Sequence, residues 1–164
     1  MVRLDEALAA VSDALEGTLQ AAVPRLGAPH VVLGNPAEAS AKHGESSQGR
    51  FMVTLTGLRL GADGRAAQPG PAALEADLLI TADFPGQYLK GIRMMVAALE
   101  WVHDNPVLTA RKATDAAEAG RFTIEFVDVG IEEAAAIVGM AGVKGCPFAL
   151  LRLRGLSAGA QVDG

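Results

Sequence analysis

Cysteine, basic runs and long apolar runs are all scarce in this sequence. A single cysteine, Cys146, cannot form an internal disulfide. The 14 lysines and arginines are outnumbered by 19 aspartates and glutamates, and no basic run of the kind that neutralises nucleic-acid phosphates is present. No apolar run approaches the ~20 residues that a membrane helix needs, and no secretory signal opens the chain. The sequence therefore predicts a soluble, cytoplasmic protein with no nucleic-acid partner and no membrane span.

Motifs that bind metals, phosphates or cofactors are missing as well. His30, His43 and His103 lie in unrelated contexts, without a cysteine pair or an HExxH pattern. The glycines of GLRLGADG, residues 57–64, do not have the GxGxxG spacing and follow a strand without opening a helix. Cys146 precedes a proline with no histidine paired to it, so a small packed thiol is favoured over a nucleophile. We expect no metal site, no cofactor and no catalytic residue.

The chain does contain enough apolar residues for one core, with 164 residues of which 50% are hydrophobic. Helical spacing of apolar residues predicts helices, and alternation or short apolar runs predict strands. The predicted helices span 2–22, 86–104 and 131–140, and the predicted strands span 30–34, 50–60, 74–84, 121–129 and 147–156. This order predicts an α+β fold, with helices on a mixed, mostly antiparallel sheet. We expect one domain over residues 1–156 and a short flexible tail over 157–164.

Three predicted loops are longer than the usual connections of a compact domain: 35–50, 61–73 and 104–120. Such loops suggest binding segments that gain order on contact. Within the last, residues 109–120 are predicted to be a contact arm, with Arg111 as its main anchor and Lys112 beside it. A solvated mobile loop is the alternative. The outward-facing arginines of the final strand, Arg152 and Arg154, are further candidates for assembly contacts.

The stretch LEWVHDNPVLTA, residues 99–110, allows two interpretations. As a structural corner, it ends the second helix near Asp104 because Pro106 disfavours helix at Asn105. His103 is then expected to bond a carbonyl of the last turn. The corner residues are Trp101, His103, Asp104, Asn105 and Pro106. As a reaction centre, His103 with Asp104 would act as the base of a small hydrolase-like enzyme, but adjacent helical residues do not face each other.

The order of several motifs resembles one known family. The segments ADLLITADF, ALEWVHDNPVL, FTIEFVDVGIEEAAAIV and FALLRLRGL follow one another as in the tail-terminator, or cap, proteins of contractile, phage-tail-like injection particles. The resemblance covers residues 50–156 and is most specific at HDNPVL. It implies a structural subunit without catalysis, which forms a ring, expected to be a hexamer, on the last layer of the inner tube. That ring would meet the last sheath ring and stop polymerisation.

Overall fold

The computed structural model describes residues 1–22, 31–35, 49–61, 72–111, 118–143 and 145–157. These form a single α+β domain, as predicted. The helices are α1 (Leu4–Ala22), α2 (Tyr88–Asp104) and α3 (Ile131–Met140). The strands are β1 (Val2–Arg3), β2 (Val31–Leu33), β3 (Arg50–Leu60), β4 (Ala73–Asp83), β5 (Val107–Arg111), β6 (Glu118–Phe126) and β7 (Phe148–Ser157). Among the described helices, none has the length and apolar character needed to cross a membrane.

The three helices of the described residues lie where they were predicted, α1 and α2 from apolar periodicity and α3 from the acids of its first turn and the glycines near its end. The fully buried residues of α1 recur every fourth position, at Ala7, Val11, Leu15 and Leu19. This spacing gives α1 a single apolar stripe that faces the sheet. α2 buries Gly91, Met94, Met95, Ala98 and Val102 and ends at Asp104, two residues before Pro106. Met94 and Met95 are therefore core residues of the domain.

The sheet has the strand order β2-β3-β4-β7-β6-β5, and β1 pairs beside β7. The pairings β1 with β7 and β2 with β3 are parallel, whereas the other neighbours are antiparallel. This confirms the predicted mixed, mostly antiparallel sheet. α1 contacts both edge strands, β2 and β5, so the sheet curls around this helix.

The two faces of the sheet carry different helices. Leu78 and Ile80 of β4 belong to the large core, which includes the buried stripes of α1 and α2. Leu79 points to the opposite face because side chains alternate along a strand. There it forms a smaller cluster with Leu150 and Ala141, against which Ile137 of α3 packs. The domain thus has α1 and α2 on its concave face and α3 on its convex face.

The prediction of a loop over residues 104–120 was wrong for the first part of that segment. Val107–Arg111 forms strand β5, which pairs antiparallel with β6, and β6 already begins at Glu118. The pairing satisfies the backbone of this polar segment and buries Ala110, so it needs no apolar run of its own. Residues 112–117 lie outside the described residues, as do 36–48 and 62–71 of the other two predicted loops.

The two ends of the described chain meet in the sheet, which the sequence did not predict. Val2 and Arg3 form β1 and pair with Leu156 and Ser157 of β7. Ser157 is buried, so the last strand extends one residue into the predicted tail. Residues 158–164 of that tail lie outside the described residues.

Candidate assembly surfaces

The corner that ends α2 is capped by Asn105. The backbone N–H and the side-chain amide of Asn105 both donate hydrogen bonds to the carbonyl of Trp101, at 3.0 and 2.9 Å. The carbonyl of Pro106 accepts a hydrogen bond from the N–H of Ile124, at 3.0 Å. Trp101 itself is partly buried against the core. These contacts tie the end of α2 to β6 and direct the chain into β5.

His103 and Asp104 point away from this arrangement. Both side chains are exposed, and in the described part of the chain neither makes a hydrogen bond or an ion pair. Within the described chain the expected bond from His103 to a last-turn carbonyl is absent, and Asn105 donates to the carbonyl of Trp101 instead. Within the described ranges, no three His, Cys, Asp or Glu side chains are grouped as a metal site would require. A base and its partner are not assembled at His103.

Arg152 and Arg154 belong to a row of charges that crosses four strands on the convex face, here called the charge ladder. Asp77 of β4 accepts from Arg152 Nε at 2.8 Å and also pairs with Arg59 of β3. Arg154 contacts Glu75 at 3.3 Å and Glu125 of β6 at 2.9 Å. The ladder joins neighbouring strands through residues that alternate with the core positions.

The ion pairs of the charge ladder make Arg152 and Arg154 less available for contacts with another subunit. The side chain of Arg152 is only 18% exposed and that of Asp77 17%, so their charges are largely committed to each other. Arg154 is about half exposed but already contacts two carboxylates. Neither arginine is a free cation on the surface of the described domain.

Arg111 lies in a more open position. It is the last residue of β5, an edge strand, and its side chain is exposed. Its register partner on β6 is Glu118. Lys112, the neighbouring candidate, lies outside the described residues. Of the predicted contact residues that the structure describes, Arg111 is the one without an ion pair to another described residue.

An apolar cleft of ≈ 390 Å³ opens where β6, β7 and α3 meet. Phe126 and Phe148 line it and are both partly exposed, together with Leu99 of α2 and Ala134 of α3. Beside it, α3 buries none of its ten residues fully, although its sequence is mostly apolar. Apolar surface is therefore exposed at the edge of the sheet where α3 approaches β6, β7 and α2.

Cys146 lies in the connection between α3 and β7 and is partly buried. Burial raises the pKa of its thiol, and the nearby carboxylate of Asp83 raises it further. A raised pKa favours the neutral thiol, which is a poor nucleophile. Its environment is that of a packed side chain.

The residues that sequence reasoning missed are those whose surroundings depend on strand order. Glu75 and Asp77 alternate with apolar residues along β4, so the pattern predicts that they face outward. Their partners Arg59, Arg152 and Arg154 come from β3 and β7, and no periodicity reveals which strands are neighbours. The sequence also did not reveal that Ile131 and Met140 of α3 are exposed, because apolar residues at these positions are equally consistent with a buried helix.

This fold is shared with two solved terminators of contractile injection particles. One is described as the sheath/tube terminator of an extracellular contractile injection system, PVC, in its extended state, with a TM-score of 0.62 and 14% sequence identity. The alignment covers 95% of this chain and 58% of that terminator. The other is the tube-terminating cap of the anti-feeding prophage, with a TM-score of 0.59, 15% identity, and coverage of 92% and 55%. The chain thus has the fold of tube-terminator and cap proteins, and it spans less than two thirds of either relative.

No curated protein sequence matches the chain significantly. The family described as the Pvc16 N-terminal domain matches residues 10–162. Since this match covers most of the sequence, the chain belongs to the Pvc16 N-terminal domain family. The resemblance to the tail-terminator family, predicted from residues 50–156, is thereby confirmed.

Proposed function

We propose that this protein is a structural cap subunit of a contractile injection particle, which ends the polymerisation of the inner tube and sheath. The observation that carries the proposal is the family match over residues 10–162. The shared fold of the two solved terminators, one named for both sheath and tube, supports it. In this function the protein acts by binding.

The proposed partners are other copies of the chain, the last ring of tube protein and the last ring of sheath protein. Self-association into a closed ring, expected to contain six copies, follows from the need to cover a tube end with rotational symmetry. Arg111 is the best placed of the predicted contact residues, because it is exposed on an edge strand. Its planar guanidinium can engage a partner carboxylate with two hydrogen bonds.

An enzyme that uses His103 and Asp104 has no support from the geometry. The two side chains are adjacent in sequence, exposed and without a hydrogen bond between them or to a third polar group in the described chain. The corner of Trp101 to Pro106 is proposed instead to fix the direction of β5, and hence the position of Arg111.

The decisive experiment is removal of the protein from particle-producing cells, followed by electron microscopy. Without the cap, tubes and sheaths should reach irregular lengths, and re-expression of the full chain should restore one length. Native mass spectrometry of the purified protein should detect a closed ring. Particles of normal, uniform length in cells that lack the protein would contradict the proposal.

The contact at Arg111 can be tested in the same system. Arg111→Glu should reduce incorporation of the cap into particles, because a reversed charge would meet the partner carboxylate. Arg121→Glu is the matched control, since Arg121 is an exposed arginine on the neighbouring strand β6. Equal incorporation of both variants would show that Arg111 is not a contact residue.

A further inference from the structure

The outward face of α3 is apolar, acidic at its start and formed by small residues. Ile131 is 89% exposed and Met140 is 80% exposed, at opposite ends of the helix and on opposite sides of it, so they flank the outward face. Between them, Ala135, Ala136 and Gly139 face away from the sheet, because Ala134, Ile137 and Ala141 face towards it. Small residues on a helix surface leave a groove into which the side chains of another helix can pack. Glu132 and Glu133 give the first turn of α3 two exposed negative charges.

The outward face of α2 has the complementary character. Leu89 is 71% exposed and Val96 is 46% exposed, and the exposed Arg93 lies between them. Residues at positions i, i+4 and i+7 share one side of a helix, so these three form a single ridge. Arg93 makes no ion pair within the described chain. Glu100 continues the ridge one turn further on, towards the end of α2.

Within one molecule, α2 and α3 border the same cleft through Leu99 and Ala134, but the ridge and the groove lie on the outward sides of the two helices. α2 packs on the concave face of the sheet through Met94, Met95 and Ala98, whereas α3 lies on the convex face against Leu79 and Leu150. A contact between two different patches on two copies is heterologous, and such contacts generate rings when the rotation closes. We propose that the α3 groove of one subunit receives the α2 ridge of the next, with Glu132 facing Arg93. This inference rests on the proposed ring-forming function and names the surfaces that would build the ring.

The contact between Glu132 and Arg93 sets the register of the two helices. Since each helix rises about 1.5 Å per residue, Ala135 then lies level with Val96 when the helices are parallel.

A charge exchange between the two surfaces tests the proposal. Glu132→Arg alone and Arg93→Glu alone should each raise the protein concentration needed for ring formation by about tenfold or more, because each places like charges in contact. The double variant should return ring formation to within a few-fold of the unmodified protein. Sedimentation velocity and native mass spectrometry over a concentration series measure the ring and the monomer together.

Two variants serve as matched controls. Asp13→Arg reverses an exposed acid on α1, and Arg121→Glu reverses an exposed arginine on β6, so each changes the net charge by the same amount as its counterpart. Both should leave ring formation unchanged. Circular dichroism spectra are expected to be unchanged for all variants, since every altered side chain is exposed.

Cross-linking distinguishes a heterologous contact from a symmetric one. Leu89→Cys and Ile131→Cys, each in a Cys146→Ser background, are treated with a short bis-maleimide. A covalent dimer should form when the two variants are mixed and not when either is alone. Dimers from either variant alone would indicate a two-fold contact and would overturn the proposal.

The remaining outcomes separate this inference from the proposed function. Intact rings in both single charge variants would overturn the α2–α3 contact and leave the cap function standing. Absence of any ring from the unmodified protein, alone and with tube ends present, would overturn both. If the Asp13 and Arg121 controls weaken ring formation as strongly as the test variants do, the contact is not specific.

Discussion

At the corner between α2 and β5, the side chain of Asn105 caps the helix while its neighbours remain in solvent. The substitution Asn105→Ala removes the 2.9 Å hydrogen bond from the side chain to the Trp101 carbonyl but keeps the bond from the backbone N–H. We expect the free energy of unfolding, measured by urea denaturation, to fall by about 0.5–1.5 kcal/mol. His103→Ala is the control and is expected to change it by less than about 0.5 kcal/mol, as is usual for an exposed residue. A larger effect at His103 than at Asn105 would contradict this assignment.

The sequence could predict where α2 ends but not which residue caps it. Pro106 restricts the backbone before it, so the boundary near Asp104 follows from sterics alone. His103 and Asn105 can both donate a hydrogen bond to a last-turn carbonyl. The choice depends on the backbone angles at Asn105, which are φ −126° and ψ 63°. Those angles are fixed by the path into β5, a strand that the sequence pattern did not reveal.

Cys146 gives a pH-dependent prediction at the same scale. Burial and the carboxylate of Asp83 raise the pKa of this thiol, so alkylation by iodoacetamide should require a higher pH than alkylation of a free cysteine. Because the folded-state pKa is above the unfolded one, stability that is present below the unfolded pKa is lost as pH rises through the folded pKa. Asp83→Asn should move the alkylation midpoint to lower pH. An unchanged midpoint in that variant would exclude the carboxylate as a cause.

At the scale of secondary-structure elements, the helices were predictable from periodicity, whereas β5 and β1 were not. α1 and α2 repeat their buried residues over several turns, which gives the sequence a strong signal. β5 is five residues long, and Ala110 is its one fully buried residue. β1 is two residues long. Such short strands are stabilised by pairing with partners distant in sequence, and a local pattern contains no information about those partners.

Two glycines in helices should respond oppositely to the same change. A Cβ on Gly91 would lie 2.9 Å from the carbonyl oxygen of Ala82, so Gly91→Ala must push α2 away from β4. We expect it to lower the free energy of unfolding by about 1–3 kcal/mol. A Cβ on Gly17 meets nothing within 4 Å, and Gly17→Ala should raise stability by about 0.5–1 kcal/mol through helix propensity. Thermal unfolding of both variants checks the pair, and a stabilising effect at Gly91 would exclude the close approach of α2 to β4.

Among the carboxylates of the charge ladder, Asp77 is the one whose substitution should reduce stability most. Asp77→Ala leaves the largely buried guanidinium of Arg152 without its partner and should cost about 1–3 kcal/mol. Glu125→Ala removes a half-exposed partner of Arg154 and should cost less than about 1 kcal/mol. Adding Arg152→Met to Asp77→Ala should recover part of the loss, because an unpaired buried charge is then removed. If the double variant is less stable than the unmodified protein by the sum of the separate Asp77→Ala and Arg152→Met losses, the pair is not coupled.

At the scale of the whole molecule, β1 closes the domain by joining the start of the chain to its last strand. Val2 is fully buried, pairs with Leu156 and packs against Gly120 of β6. Val2→Asp places a carboxylate in this site and should lower the melting temperature by several degrees, in line with a penalty of a few kcal/mol. Arg3→Ala, next to it but exposed, is the control and should have little effect. Equal melting temperatures for Val2→Asp and the unmodified protein would show that β1 is not part of the stable domain.

The position of α1 against both edges of the curled sheet has a consequence for how the chain folds. α1 precedes the long strands in the sequence, yet it contacts α2, β5 and β7, which come after β3 and β4. Val11, Leu15 and Leu19 are therefore fully buried only when elements distant in sequence have packed on the helix. Native contacts of such long range make folding slow, on the order of milliseconds to seconds, because loop closure must precede the stabilising contact. Until that packing is complete, the chain presents an exposed amphipathic helix, which is the kind of segment that chaperones bind and that aggregates in their absence.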